Sequence, residues 1–321
     1  MNEPEKKIPI PWRWPRGVFY GIGCGLLLVV VIASIVAIVL GSRPGSAPRV
    51  ATGGTRIPAR LFLRDFQRPL DRDLIKKLKI IEENPLMEWV DKRVLKPLFD
   101  DVQTARFSVE GVELTAGQFP DRPELISLVE DCARILKIKK PRVYVANRPG
   151  LNAFTTNFED PIVVLHSSML RRYDDPAELR FIIGHEMGHI RCSHVKWLMV
   201  VRLATQTLGE TVAVALELPL LKWAREAEMS ADNAGLICCQ DLKAAERALI
   251  RLVLNLDDRS VGKIDVDMYL EQLTRANVSK PADAVHCWRQ LTQDHPFIPE
   301  RIKQLREFAR SPGYKNLWKE N

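Results

Sequence analysis

Apolar residues fall along this chain in three rhythms, and each predicts a different element. From Val18 to Leu40 (VFYGIGCGLLLVVVIASIVAIVL) no charge interrupts them. At about 1.5 Å of rise per residue such a run spans a hydrocarbon layer of roughly 30 Å. Residues 18–40 are therefore expected to be a transmembrane anchor behind a short tail, 1–17. In PELISLVEDCARILKI, Leu125, Leu128, Val129, Cys132, Ile135 and Leu136 recur every three or four residues, which predicts a helix burying one face. RVYVAN (142–147) and PIVVLH (161–166) are short and largely β-branched or aromatic, and are predicted as strands. Residues 71–102 carry charge throughout and are expected to be helical. GSRPGSAPRVATGGTRIP, rich in Gly, Pro, Ser and Ala, reads as a flexible linker over 41–60. The rest, 61–321, is then one domain of the α+β class, mainly helical with a small sheet.

The flanks of the apolar run refine that picture. Trp12 and Trp14 stand where an interfacial aromatic belt belongs. The rival reading, a cleaved signal peptide, wants an apolar core of about 7–15 residues and a small-residue cleavage site, and neither is present. Lys6, Lys7, Arg13 and Arg16 before the run are matched by Arg43, Arg49, Arg56 and Arg60 after it, so charge sets no orientation. Gly21 and Gly25 form a lone GxxxG, which makes the membrane helix a candidate for homo-oligomer contact. The formal net charge of +7 is dispersed, with no nucleic-acid motif to read it as a phosphate footprint. A solvated surface or attraction to anionic lipid headgroups explains it, and no nucleic-acid partner is expected. The six cysteines form no CxxC pair, and Cys238 and Cys239 sit in an apolar run as core residues.

The chemistry is concentrated in GHEMGHIRCSHV at 184–195. The helix carrying it starts well: Asp175 caps, Pro176 takes the first position, and Glu178 stands where a capping box wants its carboxylate. His185 and His189 project from one face a turn apart, so both imidazoles can reach one tetrahedral zinc. Glu186, about 100° round from His185, suits a base beside the metal. Zinc would lower the pKa of a bound water and Glu186 would take its proton. An HExxH by itself occurs by chance, so the third ligand decides. The pattern HExxHxxGxxH fails, because Cys192 and Val195 occupy its last two positions. His194 projects elsewhere on a continued helix, which leaves it a surface or supporting role. Among Glu210, Glu217, Glu226 and Glu228, only Glu228 has an aspartate one turn on. Asp232 could accept the N–H of a ligating histidine and fix its tautomer, which favours Glu228, with Glu210 second. A plain charged helix face near Arg225 is the competing account. His166 and His286 are isolated and are read as non-catalytic.

LNAFTT (151–156), FIIGHEMGHIRCSH (181–194), REAEMSADNAG (225–235) and HPFIPERI (295–302), in that order, resemble the HtpX-like membrane zinc metalloproteases. The stretch FPDRPELISLVEDCARILKIKKPRVYVANRPGLNAF is also similar to the segment leading into their active site, so the resemblance covers roughly 115–240 and 290–310. It implies a zincin-like domain with one zinc on His185, His189 and Glu228, and Glu186 as catalytic base. It also implies that Asn152, Ala153 and Phe154 lie on an edge strand that pairs with substrate main chain. His295 or Arg301 could stabilise the oxyanion. Many relatives carry several membrane spans. Here the apolar stretch 196–223 cannot be a single span, since His189 and Glu228 must meet at one metal, and two spans need about 40 residues plus a turn. It is expected to be a helical hairpin packed on the domain or lying against the membrane. The function expected is a membrane-anchored endopeptidase acting on exposed or unfolded protein segments, with quality control inferred from the resemblance alone. The alternative is a catalytically silent zinc-binding scaffold or holdase. A prenyl-protein protease would want a multi-span chamber that one span does not supply.

Overall fold

The protein is described by a computed structural model over residues 57–58, 60–148, 150–172, 175–199, 209–254, 264–275 and 298–318. The expected anchor at 18–40, nearly all of the linker at 41–60, His286 and His295 lie outside these residues. Among the described residues no helix is long and apolar enough to cross a membrane.

Four short strands build the sheet in the order β1-β2-β4-β3: β1 (Gly111–Glu113), β2 (Arg142–Ala146), β3 (Ala153–Thr156) and β4 (Ile162–His166). β2 and β4 pair in parallel, with Val143 opposite Val163. β1 and β3 run antiparallel on the outside, Ala153 facing Leu165 and Thr155 facing Val163. All five residues of β4 are buried, as expected for a strand covered on both faces. Alternation sorts them. Val163 and Leu165 join Val143 and Ala153 in the main core, whereas Ile162 and Val164 join Phe107, Tyr144 and Ala146 on the opposite face.

Helices follow the sequence where their signals are local. We number those up to the helix carrying His185 and His189 α1 (Pro69–Glu82), α2 (Pro85–Val90), α3 (Val102–Glu110), α4 (Pro123–Leu136), α5 (Ser167–Arg172) and α6 (Pro176–Arg191). After it come α7 (Gly209–Cys239), α8 (Leu242–Leu254), α9 (Val266–Arg275), α10 (Ile298–Ala309) and α11 (Pro312–Asn316). The predicted one-faced helix is α4. It begins on Pro123, buries all six anticipated apolar residues and ends where Lys137 turns left-handed. Residues 71–102 are helical as expected, apart from a break at 83–84, but in several pieces rather than one. The run breaks after Glu82 because Pro85 has no N–H to continue the ladder, passes through a π-helical segment at Asp91–Asp101 containing Pro97, and ends at Glu110.

α6 starts as anticipated, with Asp175 accepting the Ala177 N–H at 2.9 Å. Glu178 does not close a capping box. Its buried carboxylate meets Arg247 at 2.8 Å and Arg251 at 3.0 Å, because α8 presents two guanidinium groups there. The apolar stretch 196–223 is anchored on the domain at both described ends. Trp197 and Trp223 are buried against Leu74, Ile75 and Leu78 of α1.

The contact that positions the site is α6 on α7. At Gly184 an added Cβ would come within 2.6 Å of Cys238 Cβ, and at Gly235 within 2.7 Å of the Phe181 carbonyl oxygen. At Gly188 it would meet Ala234 Cβ at 2.8 Å and Ala231 Cα at 3.0 Å. Three glycines thus let two backbones approach closely enough for side chains from both to converge. Gly188→Ala is expected to cost about 1–3 kcal/mol of stability and to weaken metal binding, since the helices must part. Denaturant melts with and without zinc check both. An unchanged midpoint and unchanged zinc affinity would contradict this account of the contact.

Candidate metal centre

His185 and His189 leave α6 one turn apart, and α7 lays Glu228 across them. The two Nε2 atoms are 3.3 Å apart. Glu228 Oε1 is 3.4 Å from His189 Nε2, and Oε2 is 3.7 Å from His185 Nε2. These separations suit the edges of a tetrahedron whose centre-to-ligand distance is about 2.0–2.1 Å, which are about 3.3 Å long. Two imidazoles and a carboxylate also form a donor set that zinc takes readily. The imidazoles are buried, while the Glu228 side chain keeps 16% of its surface exposed, so the cluster opens to solvent beside the carboxylate. Burial holds the His185 imidazole below its ordinary pKa despite Asp232. At His189 burial pulls the same way, but Glu228 and then Glu186 outweigh it and raise the value.

Behind Glu228 stands a chain of carboxylates and one guanidinium. His185 Nδ1 donates to Asp232 Oδ1 at 2.9 Å. Arg301 Nε and Nη2 donate to the two Asp232 oxygens at 2.7 and 2.6 Å, and Nη1 lies 3.1 Å from Glu228 Oε2. Burial works against the Asp232 anion, but Arg301 and His185 more than offset it, so its pKa is lowered. The sequence placed Arg301 near the site. The structure brings it there on α10 with all three nitrogens directed at carboxylates.

Glu186, 2% exposed, points toward the sheet. The Thr155 hydroxyl on β3 donates to its Oε2 at 2.7 Å, with the Glu186 carbonyl at 3.1 Å. Thr155 was missed from sequence, although strand alternation would have put it on the face of buried Ala153. β3 is one of the two outer strands of the sheet, with one edge unpaired among the described residues. Ala153 packs in the core. Phe154 lies on the other face against Phe107 and His166, so neither side chain approaches the histidine pair. The Asn152 carbonyl accepts the His166 N–H at 3.0 Å, and the His166 ring lies 3.3 Å from the Gly150 carbonyl, away from the metal cluster.

His194 is corrected in placement. α6 ends at Arg191, so the continued-helix geometry does not apply; Ser193 turns left-handed at φ 60° and brings His194 back, fully buried, with Nδ1 3.0 Å from His189 Nδ1. Its other nitrogen meets Asp71 Oδ2 at 2.8 Å.

The profile of Peptidase family M48 matches residues 121–309, more than half of the chain. The chain belongs to peptidase family M48. It is 29% identical over 268 residues to the plastoglobule-localized metallopeptidase 48, chloroplastic, of Arabidopsis thaliana, covering 79% of this chain and 75% of that protein. It is 39% identical over 80 residues to a protease HtpX homolog of Streptococcus uberis, 25% of this chain and 26% of the relative. With a protease HtpX homolog of Lactiplantibacillus plantarum it shares 33% over 111 residues, 34% of each. The chain thus aligns to only about a quarter to a third of these two HtpX homologs. As an HtpX-like M48 metalloendopeptidase it uses zinc, and the His185, His189 and Glu228 cluster offers a donor set that fits that ion. The M48 match contains both histidines, Glu186, Glu228, Asp232 and Arg301. Asp71, on α1, lies outside it and was not anticipated from sequence.

Proposed function

We propose that this metalloendopeptidase holds its zinc on His185, His189 and Glu228 and cuts extended protein segments laid along β3. The convergence of those three donors from α6 and α7, with Glu186 beside them, carries the reading. Zinc in that position supplies Lewis-acid polarisation of a peptide carbonyl and lowers the pKa of water. Glu186 accepts the proton of the attacking water as the new C–O bond forms. The same carboxylic acid then delivers it to the amine nitrogen as the C–N bond breaks. Thr155 holds Oε2 and leaves Oε1 for the proton. The open edge of β3 offers the main-chain N–H and C=O groups of Ala153 and Thr155, which the register turns away from β4, while Asn152 and Phe154 flank them, so recognition depends on extended backbone more than on side-chain identity. Folded proteins rarely expose such segments; unfolded ones do. Arg301 fixes Asp232 and Glu228 rather than meeting the oxyanion, and His295 is left as the candidate for that role. Residues 18–40 anchor the domain to a bilayer, where damaged membrane proteins are the natural substrates.

The test uses the full chain in membranes with labelled casein. Cleavage should fall to background on treatment with phenanthroline and return with added zinc, and alkaline carbonate should leave the protein in the membrane pellet. Cleavage indifferent to chelation would refute the zinc mechanism. Bound zinc without cleavage would favour a silent scaffold, and release by carbonate would remove the anchor.

A further inference from the structure

The two histidines of the centre are held by different means. His185 Nδ1 meets a carboxylate directly, whereas His189 Nδ1 faces another imidazole. Two ring nitrogens 3.0 Å apart form a hydrogen bond only if one carries the proton and the other does not. The far side of His194 settles which. Its Nε2 lies 2.8 Å from Asp71 Oδ2, and Asp71 is 0% exposed. The same carboxylate accepts Trp223 Nε1–H at 3.0 Å and the Ser230 hydroxyl at 2.7 Å. The Ser230 oxygen in turn accepts the Arg68 N–H at 3.0 Å. An indole N–H only donates and an ionised carboxylate only accepts. Asp71 therefore takes the His194 Nε2 proton, His194 Nδ1 presents a lone pair, and His189 Nδ1 carries the proton that meets it. In the neutral ring, the form that binds a metal, this leaves the lone pair on His189 Nε2, on the side of Glu228 Oε1 at 3.4 Å.

We propose that Asp71, acting through His194, is the positioning group for His189, fixing the tautomer and ring angle in which Nε2 faces the metal. The proposal rests on the ligand reading given above. It gives each histidine its own buried carboxylate, Asp232 by direct contact and Asp71 by a one-imidazole relay. Such partners also raise ligand basicity. It makes α1, outside the M48 match, a working part of the site, pinned to α7 by Trp223 and Ser230.

Asp71, Cys192 and His194 could themselves pass for a metal site, since one ligand atom from each lies within 4.8 Å of the others and all three are buried. The geometry argues otherwise. The 2.8 Å between Asp71 and His194 is a hydrogen-bond distance, and the Asp71 oxygens already accept two further donors.

The test measures zinc affinity by competition with a chromophoric chelator, and the visible spectrum of the cobalt-substituted full chain, in Asp71→Asn, His194→Phe and the double variant. An amide in place of Asp71 cannot accept from both Trp223 and His194. Each single variant should bind zinc about 10–100-fold more weakly and shift the cobalt spectrum. The double variant should be no weaker than either single one, because the two groups act in series. Melts of the metal-free proteins check folding. If Asp71→Asn does not fold, His194→Phe carries the test, since it leaves Asp71 its Trp223 and Ser230 partners. Failure of both to fold would assign the cluster a purely structural role and overturn the proposal, as would folded variants with wild-type affinity and spectrum. Glu228→Ala is run alongside: full zinc there overturns the ligand reading itself. Zinc lost there and kept in Asp71→Asn overturns the relay alone.

Discussion

Glu186→Gln is expected to slow casein hydrolysis about 10²- to 10⁴-fold while zinc content stays at the wild-type level. The substitution preserves size, and the Gln carbonyl can still accept the Thr155 hydroxyl that now sits 2.7 Å from Oε2. What it removes is the ability to take a proton and return it. Because Glu186 is held by Thr155 of β3 and is not one of the three donors His185, His189 and Glu228, the donor set should survive intact. Turnover and zinc content measured on one preparation separate the outcomes. Cleavage near the wild-type rate would remove Glu186 from the role of base. Loss of zinc together with activity would make it part of what holds the metal.

Arg301→Ala should destabilise the metal-free protein by about 3–5 kcal/mol, the cost of leaving a buried charge without its partner. Arg301 is 2% exposed, chelates both oxygens of a fully buried Asp232 and reaches Glu228 as well. With it gone, two carboxylates face each other across His185 with no cation between them. Arg301→Lys should recover only part of the loss, because a single ammonium cannot match the planar fork that spans both groups. Urea melts read the effect directly. A variant as stable as wild type would mean that solvent reaches Asp232 and that the network contributes little.

The parts of the candidate site legible in the sequence are those whose logic runs along one helix. Turn spacing groups His185, Glu186 and His189, and Asp232 one turn beyond Glu228 distinguishes that glutamate from the others. The 2.9 Å contact between Asp232 and His185 is the arrangement that spacing suggested. The strands at 142–147 and 161–166 were placed to within a residue, because fully buried β-branched runs are a local signal. Asp71 was out of reach for the opposite reason. It sits 123 residues from the histidine it holds, on a helix whose composition reads simply as charged. The glycines at 184, 188 and 235 act only across the α6–α7 contact, so their role is visible when a Cβ is placed between two backbones. His194 shows how extrapolation fails. A helical wheel presumes that the helix continues, and here it ends at Arg191.

The central claim is the identity of the three zinc ligands, and an anomalous difference map at the zinc edge from crystals of the zinc-loaded protein tests it most directly. A single peak is predicted, about 2.0–2.2 Å from His185 Nε2, His189 Nε2 and a Glu228 oxygen. A peak ligated by Glu210 instead of Glu228, or one at Cys192 with Asp71 and His194, would contradict the account.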